Sequence, residues 1–140
     1  MTLQEALALV AAQRLGVLVT LRRDGRPQTS NVVYAVTGRQ IRVSVTEDRA
    51  KTRNLRRDPR AVLHVSTADG SAWAALEGTA SLSSVTSTPA DETGRALADL
   101  YVAISGGEHP DWADYHRAMV EERRLLLTIS VTHGYGGGAA

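Results

Sequence analysis

The sequence predicts a mainly β protein, a small six-stranded antiparallel barrel with flanking α-helices. Three observations carry that expectation. Short apolar or alternating runs recur from Gly16 to Val131. Asp24-Gly25 and Asp69-Gly70 separate such runs at hairpin spacing. Helical spacing is confined to four short stretches. With 140 residues there is room for one domain and one core. That domain is expected to span residues 1–135, with a flexible Gly-rich tail over 136–140.

Residues 3–13 place Leu3, Leu7 and Val10 on one helical face without Gly or Pro. Gly16 to Leu21 reads as an apolar strand, turned by Asp24-Gly25 into a second strand over Gln28–Ala35. Gly25 suits the positive φ of a tight turn. After Thr37-Gly38, Ile41, Val43 and Val45 alternate with Arg42, Ser44 and Thr46, so one face is buried and the other polar. Asp48 is expected to cap a short helix over Arg49–Arg57, which ends before Pro59. Strands follow over Ala61–Ser66 and Ala72–Leu82, with a bulge or close backbone approach at Gly78. Ser83–Thr88 is a polar link. Two helices then place Leu97, Leu100, Tyr101 and Ile104 on one face, and Trp112, Tyr115, Met119 and Val120 on another. Tyr101, Trp112 and Tyr115 are assigned to the core. Leu125–Val131 is the last of six strands in consecutive hairpins.

Composition excludes several classes of function. The formal net charge is only +1, so recognition of an anion must come from a local cluster. Without cysteine there is no thiolate chemistry, disulfide or cysteine-ligated metal. The four histidines, His64, His109, His116 and His133, lack metal-site spacing, and no Gly-x-Ser-x-Gly turn occurs. No stretch reaches the roughly 18 apolar residues of a membrane span, and a cytoplasmic protein is expected.

The densest unusual segment runs from Arg49 to Arg60, with six basic residues against Asp58 alone. It contains Lys51, the single lysine in the chain. Arg49, Lys51 and Thr52 in a helix's first turn suit a phosphate, because the N–H groups there are unpaired. A solvated basic face fits the same composition. A nucleic-acid surface fits less well, since no aromatic residues interleave the basic ones. A second segment, Gln28, Ser30 and Asn31, puts amide and hydroxyl groups on a strand leaving its hairpin. Those groups suit the edge of a heterocycle or simply a wet strand face. Trp73, just past a hairpin, suits a coenzyme cover, a subunit seam or plain structural packing.

In order, Gly25-Arg26-Pro27-Gln28-x-Ser30-Asn31, the run Arg49–Arg60, Glu77-Gly78-Thr79-Ala80 and Ser130-Val131-Thr132-His133-Gly134-Tyr135-Gly136 resemble a known family. It is the actinobacterial flavin/deazaflavin oxidoreductases of the pyridoxamine 5′-phosphate oxidase-like split-barrel superfamily. The resemblance implies a six-stranded Greek-key split barrel that forms a homodimer, with two coenzyme grooves between subunits. It implies coenzyme F420, with FMN as the alternative, and hydride transfer to a conjugated small-molecule acceptor. A non-catalytic F420-binding protein is the other alternative. Carried over by position, Arg49, Lys51 and Asn54, with Thr52, match residues near the coenzyme phosphate. Gln28, Ser30 and Asn31 match the strand beside the ring, Ser44 and Val45 the adjoining strand, and Trp73 an aromatic from the other subunit. No side chain is singled out as catalytic. Ser71 stands where close relatives carry an aromatic, which implies a more open roof over the ring.

Overall fold

In the computed structural model, which describes residues 1–138, period-two burial builds a single curled sheet and two helices plug it. The elements are α1 (Leu3–Ala11), β1 (Leu15–Leu21), β2 (Pro27–Val33), β3 (Ala35–Thr37), β4 (Gln40–Thr46) and α2 (Ala50–Arg57). They continue as β5 (Arg60–Ser66), β6 (Ala72–Leu82), α3 (Glu92–Ser105), α4 (Trp112–Glu121) and β7 (Arg124–Gly138). Every strand pair is antiparallel, in the order β2-β1-β5-β6-β7-β4-β3.

There are seven strands rather than six because the returning strand divides at Tyr34. Its first part, β2, pairs with β1, and its second part, β3, pairs with β4. Tyr34 is buried, and its hydroxyl donates to the Val10 carbonyl at 2.6 Å. Burial also pushes the phenol pKa well above its ordinary value. One continuous stretch thus joins the two ends of the strand order, and the sheet curls into a barrel split beside it. The expectation of consecutive hairpins fails at β1–β5 and β4–β7, which pair across long stretches of chain.

Alternation supplies the core. Leu18, Ile41, Leu63, Leu76, Leu127 and Ile129 point inward and are fully buried. Each such side chain contributes about 1.5–3 kcal/mol relative to exposure. Helix α1 adds Ala6, Leu7 and Val10, and its start is held by a Thr2–Glu5 capping box. Helix α2 adds Leu55.

Helix α3 lies across β4 and β7 and packs with α4. Tyr115 is buried there; its hydroxyl donates to Leu97 O at 2.9 Å, and burial pushes its pKa up to about 12. Tyr101 and Trp112 are only half-buried and pack with Tyr115 and His109, away from the barrel core to which sequence assigned them. The rings meet edge to face across the α3–α4 seam, a satellite cluster with its own burial.

Asp91 caps α3 and accepts from Thr86 Oγ1 at 2.7 Å, Gly94 N at 2.8 Å and Ser87 N at 2.9 Å. These bonds hold its carboxyl well below the usual carboxylate range, the Thr86 hydroxyl contributing most. A depressed carboxylate stabilises the fold above its unfolded pKa and loses that effect as pH falls through the folded one. Asp91→Ala is therefore expected to cost about 1–2 kcal/mol at neutral pH. The deficit should shrink in acid, as chemical denaturation at pH 7 and pH 2 would read.

Glycine sets two close approaches. The β6–β7 register shifts between Glu77 and Gly78, the bulge anticipated at that position. The supposed tail is corrected over Gly136–Gly138, which extend β7 and pair with Ala72–Ala74. A Cβ on Gly136 would overlap the Trp73 carbonyl, so the absence of side chains is what lets the strand continue. Ala139 and Ala140, also assigned to that tail, lie outside the described residues. No helix among the described residues is long and apolar enough to cross a membrane.

Candidate functional site

The curl of the sheet brings β2 and β4, which lie far apart in strand order, to opposite walls of one groove of about 510 Å³. Ser30 and Asn31 come from β2, Ser44 from β4, and Ile104 from the last turn of α3. Arg49 and Lys51, at the start of α2, and Arg124, first residue of β7, make the groove's end cationic. Six of the ten residues expected at the site therefore meet here: Ser30, Asn31, Ser44, Val45, Arg49 and Lys51.

The electrostatics of that end are lopsided. Among the described residues neither Arg49 nor Lys51 forms an ion pair with a carboxylate. Arg124 is tied to Glu122 at 2.9 Å and reaches Ser44 Oγ at 3.4 Å. Burial first, then the charges of Arg49 and Arg124, lower the Lys51 pKa from its ordinary value. Three cations crowd one place, and the fold supplies too little negative charge for them. Nor does a side chain cap α2: Arg49 occupies the cap position with no side-chain bond to the helix, correcting the expectation for Asp48. Asp48 instead offers its backbone carbonyl to Arg53 Nη1 at 3.0 Å. The helix thus presents its positive end to the groove unshielded by an acid.

The other expected residues have different surroundings. Val45 borders the groove, but its side chain lies in the core, because alternation along β4 sends Ser44 outward and Val45 in. Thr52 is fully buried, and its hydroxyl is spent on Thr46 O at 2.7 Å. Asn54 is buried and donates to Thr20 Oγ1 at 3.1 Å and to Gln28 Oε1 at 2.9 Å, while accepting from Arg57. Thr52 thus braces α2 against the end of β4, and Asn54 braces it against β1 and β2, rather than face the groove. Asn54→Ala is expected to cost about 1.5 kcal/mol by orphaning these buried partners. It should leave ligand recognition in the groove nearly intact, which paired denaturation and binding titrations would separate.

Gln28 faces a second depression of about 510 Å³ on the far side of α2, which Arg22, Arg23, Arg53, Arg56 and Arg57 surround. Arg57 is held by Leu21 O at 2.6 Å and Arg22 lies 3.8 Å from Asp24. Trp73 borders neither depression. It stands on the outer face of the sheet, stacked on His64 with centroids 5.5 Å apart and edge-on to Tyr135 at 5.9 Å.

Six groove residues were missed in the sequence: Val32, Val33, Val43, Thr46, Ile104 and Arg124. Arg124 precedes an apolar strand and looks like any strand-flanking base until the β4–β7 pairing sets it opposite Thr46. Ile104 was counted only as helix packing.

The sequence profile of a family described as pyridoxamine 5′-phosphate oxidase matches residues 2–136. Among solved structures, a conserved hypothetical protein of Mycobacterium tuberculosis superposes with a TM-score of 0.75. It is 24% identical over 99% of this chain and 85% of its own. A protein described as an F420 reductase gives a TM-score of 0.68 and 24% identity over 91% and 94%. A heme-binding protein of Mycobacterium smegmatis gives 0.68 and 25% identity over 96% of this chain and 53% of its own.

Proposed function

We propose, from the premise that this chain belongs to the pyridoxamine 5′-phosphate oxidase family, that it is a coenzyme F420-dependent oxidoreductase. One observation carries the reading: Arg49 and the half-buried Lys51 share a groove end with Arg124 and have no carboxylate partner among the described residues. An anionic group of the coenzyme supplies the missing charge, and the uncapped start of α2 adds N–H donors beside it. Ser30, Asn31 and Ser44 offer amide and hydroxyl groups along the walls, where a heterocycle's polar edge would lie. When bound, the reduced deazaflavin would supply a hydride for a conjugated acceptor, and a proton from water, the coenzyme or His133 would complete the reduction. The protein's part is orientation and fixed charge.

The arginines behind α2 favour F420 over FMN. FMN ends at one phosphate, which the groove end accommodates. F420 continues into a phosphodiester and an oligoglutamate tail, and Arg23, Arg53 and Arg56 line the depression such a tail would enter.

A homodimer completes this reading. Helices α3 and α4 cover the outer face of β4 and β7, whereas that of β1, β5 and β6 carries Val17, Val19, Val62, His64 and Trp73 with no helix across it. Leu15 and Val33 are 59% and 47% exposed at its margin. A second copy of the chain buries this face and brings its Trp73 toward the first copy's groove.

The deciding experiment is equilibrium binding of oxidised F420 and of FMN to the same apoprotein at two salt concentrations. F420 is expected to bind more tightly and to weaken with salt. Tighter FMN binding moves the protein to flavin chemistry, and binding of neither removes the coenzyme reading. Tight F420 binding without oxidation of the reduced coenzyme by any quinone, enone or nitro compound favours a carrier.

A further inference from the structure

We propose that a second pocket, separated from the groove by Ile104, seats the electron acceptor and recognises a neutral molecule through its N–H or O–H donors. The inference rests on the groove being the coenzyme site. The chain itself lays out the path: Ser30–Val33 of β2 line the groove, and Tyr34, Ala35 and Val36 carry straight on into the pocket. Ile104 borders both spaces. The pocket holds about 350 Å³, at the small end of the range for small-molecule sites.

Its chemistry follows from how two helices stop. The last turn of α1 brings Ala11 and Ala12 to the pocket, and the last turn of α3 brings Ala103 and Ile104. Neither last turn contains a basic residue. Among the described residues, the carbonyls of Ala11, Ala12, Ala103 and Ile104 accept no hydrogen bond from backbone outside their own helices. Two helix ends of partial negative charge thus converge on one cavity, with orphan acceptors that call for donors. Among the described residues no wall group donates to them: the Tyr34 hydroxyl is spent on Val10 O and its N–H on Arg14 O, and the side chains of Gln13 and Arg14, which also line the pocket, bond none of these carbonyls.

Charge narrows the class further. Carbonyl ends disfavour a carboxylate, while Arg14, the one charged residue lining the pocket among those described, disfavours a cation. Neutral donors remain, such as a primary amide, a lactam or a hydroxyl group. The methyl groups of the alanines and Val36 fit a small apolar body behind that donor, whose reducible end would extend past Ile104.

A matched pair of probes tests this. The affinities of 4-nitrobenzamide and methyl 4-nitrobenzoate would be measured by ligand-observed NMR on the full chain, with F420 titrated separately by fluorescence. The amide is expected to bind about five-fold more tightly, the scale of one neutral hydrogen bond. Ala103→Leu, at an exposed position of α3, and Ala12→Leu, at the exposed cap that follows α1, fill the pocket from either side and should abolish that preference with F420 affinity unchanged. Equal affinity for amide and ester, or an amide affinity that survives both substitutions, overturns the proposal. Failure of the coenzyme reading shows instead in the F420 titration, which does not depend on the probes.

Discussion

Lys51→Ala is expected to weaken F420 binding by about 10- to 100-fold, the equivalent of one charge-assisted hydrogen bond. The loss should be largest at low ionic strength and narrow as salt screens the wild-type attraction. At saturating coenzyme the turnover rate should be unchanged, because the proposed role of Lys51 is to hold the anionic end and not the reacting atoms. A turnover rate that collapsed under saturation would refute that division. The same substitution has a second, opposite consequence. Burial and two neighbouring guanidinium groups lower the Lys51 pKa, so its charge is harder to hold in the folded protein than in the unfolded chain. For a lysine with a depressed folded pKa, stability rises with pH from the folded value up to the unfolded one, where the unfolded chain binds more protons. Lys51→Met should therefore leave the melting temperature of the apoprotein unchanged or higher at pH 7, while reducing the coenzyme's own stabilising effect at a fixed coenzyme concentration. A function that costs stability in the free protein is what a binding site held ready for its ligand should show.

How far this was legible in the sequence depends on the range of the interaction concerned. Local chemistry was readable: Asp24-Gly25 turns β1 into β2, alternation from Ile41 to Val45 sends Ser44 outward, and Pro59 closes the basic helix. The cationic end of the groove was readable for the same reason, since Arg49 and Lys51 are neighbours on one helical turn. What required the structure was pairing at a distance. Nothing local in Arg124 tells that β4 and β7 zip from Gln40 to Thr46 and bring its guanidinium to Ser44. Polar residues within α2 were ambiguous for a different reason. Thr52 and Asn54 share a short helix with the groove's cations, yet helical rotation turns them inward, where β4 takes the Thr52 hydrogen bond and β1 and β2 take those of Asn54. Composition fails at Gly136–Gly138 because a run of glycines marks either a loose end or a backbone that must pass very near another. Only the partner strand distinguishes the two.

Gly78→Ala is expected to destabilise the protein by about 3 kcal/mol, the upper part of the usual cost of overpacking. The added methyl would overlap the Ser130 carbonyl oxygen and crowd Ile129 Cγ2, at 2.9 Å. A flexible side chain could swing aside, but a carbonyl fixed in the β7 backbone cannot, and relief requires β6 and β7 to part. That is costly here because β6–β7 is the longest ladder of the sheet, running from Ala72–Gly138 to Leu82–Leu127. The bulge at Glu77/Gly78 lies in its middle, so the strain falls on both halves. Beyond it the same strand carries Arg124 to the groove, and a shifted register would move that cation away from Ser44. Chemical denaturation should thus report a lower midpoint with little change in slope, together with weaker coenzyme binding. By contrast Gly107→Ala, where a Cβ meets nothing within 4 Å, should stay near wild type. Equal stability of the two variants would show that the bulge is compliant and that glycine at residue 78 answers to something other than the Ser130 carbonyl.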